Sequence, residues 1–446
     1  MKNEGKYLIN TYGCQMNVHE SEKLAGILET KGYKPTKTAE DADVVVFNTC
    51  CIRESAEQHI MGNIGAIKPI KAKNPNLIVA VCGCMSQQEK MAENLKKKFP
   101  FINIIFGANN IEFFGEYLDD FKEQRKFQSR VLKDQDYIDN PNKSPIVRDD
   151  PFNAYVNIMY GCNNFCTYCI VPYVRGREQS RPKDEIIKEV KDLLKIGQYK
   201  SITLLGQNVN SYGNDFEDKS VNFPKLLAEI AELDGDFELK FMSSHPKDLS
   251  DELIETIAKY PKISRAIHLP VQSGSNKVLE KMNRKYTREH YLEVVNKIKE
   301  KIPNASLTTD IIVGFPGETE EEFNQTVDLV KTVGYSNAFI FMYSKRKGTV
   351  AEKMDGQIPI EVKRERIHTL LAIQKEMTNK FFNDLIGKEQ KVIIEEELPT
   401  YYKAKTQCGK VAKVKKGKQP LNIGKFIDVL IDDYKGGNLY ASIKGE

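Results

Sequence analysis

Between residues 152 and 380 the chain alternates six times between short apolar runs of strand character and stretches with helical spacing. Strands alternating with helices imply a parallel sheet with helical crossovers. The strand runs are 155–160, 201–205, 237–242, 266–269, 306–313 and 337–343, and the helical patterns fall at 184–196, 224–233, 249–259, 288–301 and 320–333. A sixth helical pattern, 360–385, has Ile367, Leu370, Leu371, Met377, Phe381 and Leu385 at helical spacing. Six β/α units are two short of a closed eight-unit barrel, so an open six-stranded partial barrel is expected. Its reactive end should lie at the C-terminal ends of the strands.

The flanking segments differ. Residues 6–132 also alternate, with strand runs at 6–11, 43–48 and 77–81 and a helix at 21–31, which predicts a second parallel α/β sheet. Residues 133–151, rich in Asp, Asn and Lys with three prolines, read as a linker. Beyond residue 381, short strands at 390–395, 404–407, 426–431 and 439–443 are joined by Gly- and Lys-rich turns, which predicts a small antiparallel β-barrel. A chain of 446 residues accommodates two to four such domains. No apolar run reaches membrane-spanning length, and polar residues 1–10 lead directly into a strand, so neither a membrane anchor nor a signal peptide is expected.

Immediately after the first barrel strand comes Cys162-Asn163-Asn164-Phe165-Cys166-Thr167-Tyr168-Cys169. A structural zinc site takes four ligands, usually as two separated pairs, and no fourth ligand lies at the usual spacing here. Three clustered thiolates suit a 4Fe-4S cluster, one cysteine per iron, with one iron left open for a substrate. Nine cysteines, an odd count with tight clusters, fit metal or redox use in a reducing cytoplasm better than disulfides. Cys14, Cys50 and Cys84 each fall just beyond a predicted parallel strand, so they can converge at one sheet edge and hold a second cluster. Ordinary buried cysteine is the alternative. Cys51 and Cys82 are read as their neighbours, because Cys82 is still within its strand and Cys50 follows the polar strand end Asn48-Thr49.

Net charge is only +4, so any nucleic-acid surface must be local. Lys403, Lys405, Lys410, Lys413, Lys415, Lys416 and Lys418 form a run without an acidic residue, preceded by Tyr401 and Tyr402. On a small barrel this makes either an RNA-binding face or a solvated lysine-rich surface. Arg175, Arg177 and Arg181 follow the cysteine loop and serve either to guide phosphates or to form salt bridges. His245 and His268 have no evident metal partner and read as structural or substrate-contacting.

The cysteine loop resembles the signature of the radical S-adenosylmethionine enzymes. In that family the open iron chelates the amino and carboxylate groups of S-adenosylmethionine, whose cleavage gives a 5′-deoxyadenosyl radical. Tyr168 would lie beside this cofactor, and Gly206-Gln207-Asn208, after the second barrel strand, would meet it unless they are simply loop. The turn Gly314-Phe315-Pro316-Gly317-Glu318 would allow close backbone approach.

Taken over the whole chain, the sequence resembles the methylthiotransferases. The stretches bearing this resemblance are Thr11-Tyr12-Gly13-Cys14-Gln15-Met16-Asn17, Asn48-Thr49-Cys50, Gly83-Cys84-Met85-Ser86-Gln87, Gly161 to Arg177, Leu205-Gly206-Gln207-Asn208-Val209-Asn210 and His268-Leu269-Pro270-Val271-Gln272-Ser273-Gly274. The resemblance implies an N-terminal cluster domain at 5–123, a radical S-adenosylmethionine core at 148–378 and a TRAM RNA-binding barrel at 381–445. It implies two 4Fe-4S clusters, with S-adenosylmethionine as both methyl donor and radical source. The implied reaction places a methylthio group on C2 of N6-isopentenyladenosine at position 37, beside the tRNA anticodon. The implied partners are the anticodon stem-loop, an external electron donor and a sulfur source, and the chain is expected to work as a monomer. Related substrates are threonylcarbamoyl-adenosine tRNA and a ribosomal-protein aspartate. A non-catalytic iron–sulfur or zinc protein that binds RNA is the rival from another class.

Overall fold

The computed structural model describes residues 5–51, 54–88, 90–131, 145–417 and 419–445. Lys418 and the 132–144 part of the expected N-terminal segment and linker lie outside the described residues. The chain forms two compact units: Met1–Pro151 with Met159–Phe165 and Cys169–Arg181, and Phe152–Ile158 with Cys166–Tyr168 and Pro182–Glu446.

The first unit is built on β1 (Gly5–Thr11), β2 (Tyr33–Pro35), β3 (Val44–Thr49), β4 (Ile78–Gly83), β5 (Ile104–Phe106) and β6 (Gln128–Arg130). They form one parallel sheet in the order β2-β1-β3-β4-β5-β6. β3 and β4 are buried at every position, as central strands of a sheet covered on both faces must be. Val45, Phe47, Val79 and Val81 pack on one face, and Val44, Val46, Ile78, Ala80 and Cys82 on the other. The helix expected at 21–31 starts earlier, spanning Gln15–Thr30. Its first half is polar yet buried, with Asn17 and Glu20 enclosed, so its hydrophobic pattern begins only at Leu24. The described end of the linker packs on this helix: Val147 N donates to Glu22 O at 3.1 Å. A side chain at Gly26 would collide with Pro145 O.

In the same unit, β8 (Met159–Tyr160) pairs antiparallel with β9 (Gln179–Ser180). The run expected as one strand at 155–160 is therefore broken at Ile158, and its first half is β7 (Asn153–Asn157) in the second unit.

In the second unit, β7, β10 (Ser201–Leu205) and β11 (Glu238–Phe241) form a parallel sheet in the order β11-β10-β7. β12 (Ala266–His268), β13 (Ser306–Val313) and β14 (Asn337–Met342) form another, in the order β12-β13-β14. The six strands follow the expected order, but the ladder between β11 and β12 is reduced to one bridge, Leu239 to Ile263. The helix expected at 360–385 spans Ile360–Asn383. Leu371, read as part of its apolar stripe, is instead exposed, and the buried face is Lys363, Arg366, Leu370 and Gln374. These polar groups are anchored through some of their atoms, while Arg366 Nε and Gln374 Oε1 have no hydrogen-bond partner. Arg366 pairs with Glu318 at 2.8 Å, Lys363 Nζ donates to Tyr343 O and Gln374 Nε2 to Tyr335 O. Glu318 also accepts from Gly314 N at 2.6 Å, closing the glycine-rich turn. Gly314 sits at φ +71, where a side chain would run into that of Lys363.

The last five strands, β15 (Glu389–Glu397), β16 (Tyr401–Thr406), β17 (Val411–Lys415), β18 (Phe426–Lys435) and β19 (Asn438–Ile443), close a barrel in the order β15-β16-β17-β19-β18. β17 was not expected: its Val-Ala-Lys-Val-Lys sequence lies inside the lysine run and hides a period-2 pattern with Ala412 and Val414 inward. The barrel is antiparallel except for β17–β19, which run parallel. No helix among the described residues is long and apolar enough to cross a membrane.

Candidate functional site

The parallel register places the N-terminal cysteines. Thr49 pairs with Gly83, so Cys50 and Cys84 leave neighbouring strands at equivalent positions, and Cys14 lies just beyond β1. Two glycines let these loops touch. Gly13, at φ +109, would place a Cβ 2.5 Å from the Cys50 Cβ, and Gly83, at φ +95, would place one against Thr49 O. Asn17 ties the loops together: its Nδ2 donates to Tyr12 O at 2.7 Å and to Thr49 O at 3.1 Å. Its Oδ1 lies 3.7 Å from the Cys14 Sγ.

The thiols are not equivalent. A hydrogen bond with Cys51 and then the charge of Arg175 bring the Cys84 thiol down to about 7, against the opposing effect of burial. Burial pushes Cys14 up, and pushes Cys82 well up among apolar side chains on the other face of the sheet. Cys82 and Cys84 thus pack on opposite faces of the sheet, and Cys51 makes a direct contact with Cys84 that the sequence did not reveal. No disulfide joins any of the nine cysteines. Among the described residues no group of three or more His, Cys, Asp or Glu is set to hold one metal ion. A cubane asks for less, because each thiolate binds a different iron.

Arg175 ends the short helix Val171–Arg175. It is buried, not phosphate-facing as the sequence reading allowed: Nε and Nη2 donate to Cys84 Sγ at 3.2 and 3.1 Å, Nη1 to Glu20, and Nη2 to Asn17 Oδ1 at 3.3 Å. Arg177 is exposed, with its guanidinium 4.3 Å from the centre of the Phe165 ring. Arg181 is buried.

The cysteine loop is fastened by backbone. Cys162 N donates to Gly176 O at 3.1 Å. Gly161, at φ +71, allows an approach to Arg177 O that a side chain would block, and Asn164 Nδ2 reaches Cys162 Sγ at 3.6 Å. In the second unit, Arg284 Nη1 donates to Cys166 Sγ at 3.3 Å and reaches Tyr168 OH at 3.4 Å. Nη2 and Nε are held by Pro270 O and Tyr286 OH. Arg284 was missed in the sequence, where it is one of several basic residues in Lys281-Met282-Asn283-Arg284-Lys285.

The ends of β10 and β11 present buried polar atoms without hydrogen-bond partners: Gln207 Oε1, Asn208 Oδ1, both amide atoms of Asn210 and His245 Nε2. Such groups are costly unless a ligand or water satisfies them. Asn208 is anchored through Nδ2 to Asp248 at 2.8 Å. Burial, then the Arg284 charge, lowers His245 to about 2, so it stays neutral. Its Nδ1 accepts from Lys247 N at 3.2 Å, which leaves the proton on Nε2 as a free donor. His268 is held by Thr308 Oγ1 at 3.0 Å and Asp310 at 3.5 Å.

On the barrel, Tyr401, Lys403 and Lys405 of β16 alternate with inward Tyr402 and Ala404, beside Lys413 and Lys415 of β17. Lys413 Nζ lies 5.1 Å from the centre of the Tyr401 ring and 5.4 Å from that of Tyr440. Lys410 is diverted: it bonds Ser336 Oγ at 2.8 Å and lies over the Phe381 and Phe382 rings. Lys416 is held by Glu397 at 2.7 Å.

Residues 156–330 match the Radical SAM superfamily, and residues 6–107 match the family described as Uncharacterized protein family UPF0004. The chain is 51% identical over 450 residues to the tRNA-2-methylthio-N(6)-dimethylallyladenosine synthase of Clostridium tetani, covering 99% of this chain and 96% of the relative. It is 51% identical to the synthase of the same name from Thermoanaerobacter pseudethanolicus, covering 88% of this chain and 83% of that one. In fold, it is similar to the radical S-adenosylmethionine methyltransferase TsrM from Kitasatospora setae. The TM-score is 0.58 at 15% identity, over 78% of this chain and 76% of that one.

Proposed function

The chain belongs to the tRNA-2-methylthio-N(6)-dimethylallyladenosine synthase family of radical S-adenosylmethionine enzymes, and on that footing we propose how its own residues divide the work. It is a tRNA methylthiotransferase, acting on C2 of N6-isopentenyladenosine beside the anticodon. The C2–H bond of an aromatic ring is not acidic enough for a general base near neutral pH, so radical chemistry is required. Cys162, Cys166 and Cys169 hold the 4Fe-4S cluster that binds S-adenosylmethionine, and Cys14, Cys50 and Cys84 hold a second, sulfur-bearing cluster. When bound, the first cluster supplies the electron that splits S-adenosylmethionine and so the radical that removes hydrogen from C2.

What supports the second cluster most is the pairing of Thr49 with Gly83, which sends Cys50 and Cys84 off one sheet edge together. Arg284, buried beside Cys166 with its guanidinium held by Pro270 O and Tyr286 OH, supplies a fixed positive charge at that sulfur. The unpartnered atoms of Gln207, Asn208 and Asn210 fit a polar cofactor, and the His245 Nε2 proton is available to donate. Lys403, Lys413 and Lys415, with Tyr401 and Tyr440, fit the backbone and bases of the anticodon stem-loop. The chain works as a monomer, with electrons and replacement sulfur supplied from outside.

Iron and sulfide analysis after anaerobic reconstitution tests the two-cluster reading. About eight irons per chain are expected; about four, or zinc alone, would contradict it. Neutralising Lys403, Lys413 and Lys415 together to Gln should weaken tRNA binding at least about tenfold. It should also flatten the salt slope by about 2, at roughly 0.7 for each phosphate no longer neutralised. An unchanged slope removes this barrel face from the RNA site.

A further inference from the structure

The segment that fastens the cysteine loop also reaches the N-terminal sheet. Gly176 O accepts from Cys162 N, and the residue before it, Arg175, forks onto Cys84. The guanidinium, Glu20, Asn17 and Cys84 are all buried in one cluster inside the first unit. A guanidinium buried among apolar side chains is costly to hold there unless something answers its charge. Glu20 answers it on one side; on the other, Nε and Nη2 both address a single sulfur. Burial also needs a counter-charge from the sulfur side, because three thiolates around an oxidised cubane leave the whole anionic. Glu20 Oε2 has no hydrogen-bond partner, so the carboxylate is spent on the guanidinium alone.

We propose that Arg175 is a positioning residue for the second cluster. Its two hydrogen bonds to the Cys84 sulfur offset the cluster's negative charge and raise its reduction potential, and Glu20 tempers that effect. Hydrogen bonds to cluster sulfurs and local charge are among the factors that set iron–sulfur potentials. A donor at a ligand sulfur stabilises the reduced, more negative form. Arg175 also restrains the Cys84 loop, since Asn17 joins the guanidinium to the backbone ahead of Cys50 and beside Cys14. This inference rests on Cys14, Cys50 and Cys84 being ligands.

The test uses the full chain carrying Cys162→Ala, Cys166→Ala and Cys169→Ala, so that only the second cluster is read. The midpoint potential is followed by electron paramagnetic resonance during titration with dithionite. Arg175→Met should shift the potential negative, Arg175→Lys should shift it less, and Glu20→Gln should shift it positive. Opposite signs for the arginine and glutamate variants are not produced by a purely structural role. Equal potentials in all loaded variants, or shifts of the same sign, overturn the proposal. Should Arg175→Met fail to load iron, wild-type potentials in Arg175→Lys and Glu20→Gln overturn it equally. Failure of the three-cysteine parent itself to load a 4Fe-4S cluster overturns the ligand assignment, and the inference falls with it.

Discussion

Replacing Cys166 with Ala is expected to cut reductive cleavage of S-adenosylmethionine at least about a thousandfold, some 4 kcal/mol of transition-state stabilisation. The fold should survive. Cys166 is a buried thiol whose neighbour Arg284 keeps Pro270 O and Tyr286 OH when the sulfur is gone. Thr167 keeps the loop in place, with its N donating to Met282 O and its O accepting from Ala351 N. Binding of tRNA, assigned to the barrel face, should stay within about twofold. 5′-Deoxyadenosine formed with dithionite, measured beside tRNA binding, separates the two effects. Normal deoxyadenosine from this variant would contradict the ligand assignment.

Replacing Cys84 with Ala should give the reciprocal result. Deoxyadenosine formation continues, methylthio product falls at least about a thousandfold, and bound iron drops from about eight to about four per chain. Arg175 keeps Glu20 on Nη1 and Asn17 on Nη2, and only Nε loses its acceptor. Cys82→Ala is the matched control. That thiol is held neutral in the apolar layer with Val44, Val46 and Ala80, so its loss should cost only about 1 kcal/mol of stability. Both activities should persist. Iron analysis with quantification of both products distinguishes the variants; loss of iron in Cys82→Ala with retention in Cys84→Ala would reverse the ligand choice.

Much of this was legible in sequence because it depends on local period and on one topological rule. Asp-Val-Val-Val-Phe-Asn before Cys50 is a buried strand by composition, and parallel strands end at a common edge, so Cys14, Cys50 and Cys84 could be grouped although far apart in the chain. Periodicity failed where the site itself inverts it. The start of the helix Gln15–Thr30 is polar because it faces thiols and a guanidinium, and it therefore resembled a loop. β17 was hidden by outward lysines, and Leu371 was misplaced because polar residues fill the buried face of its helix. Pairs such as Arg175 with Cys84, 91 residues apart, or Arg284 with Cys166, 118 apart, leave no local pattern at all. They belong to tertiary packing, which fixes the electrostatics that spacing cannot.

The central claim is that these groups together methylthiolate an isopentenylated adenosine in tRNA. Mass spectrometry of nucleosides from isopentenylated tRNA, treated with the reconstituted protein, S-adenosylmethionine, sulfide and dithionite, tests it most directly. The expected result is conversion of N6-isopentenyladenosine at position 37 to its 2-methylthio derivative. Deoxyadenosine accumulating while that nucleoside stays unmodified, or a methylthio group appearing only on threonylcarbamoyl-adenosine, would contradict it.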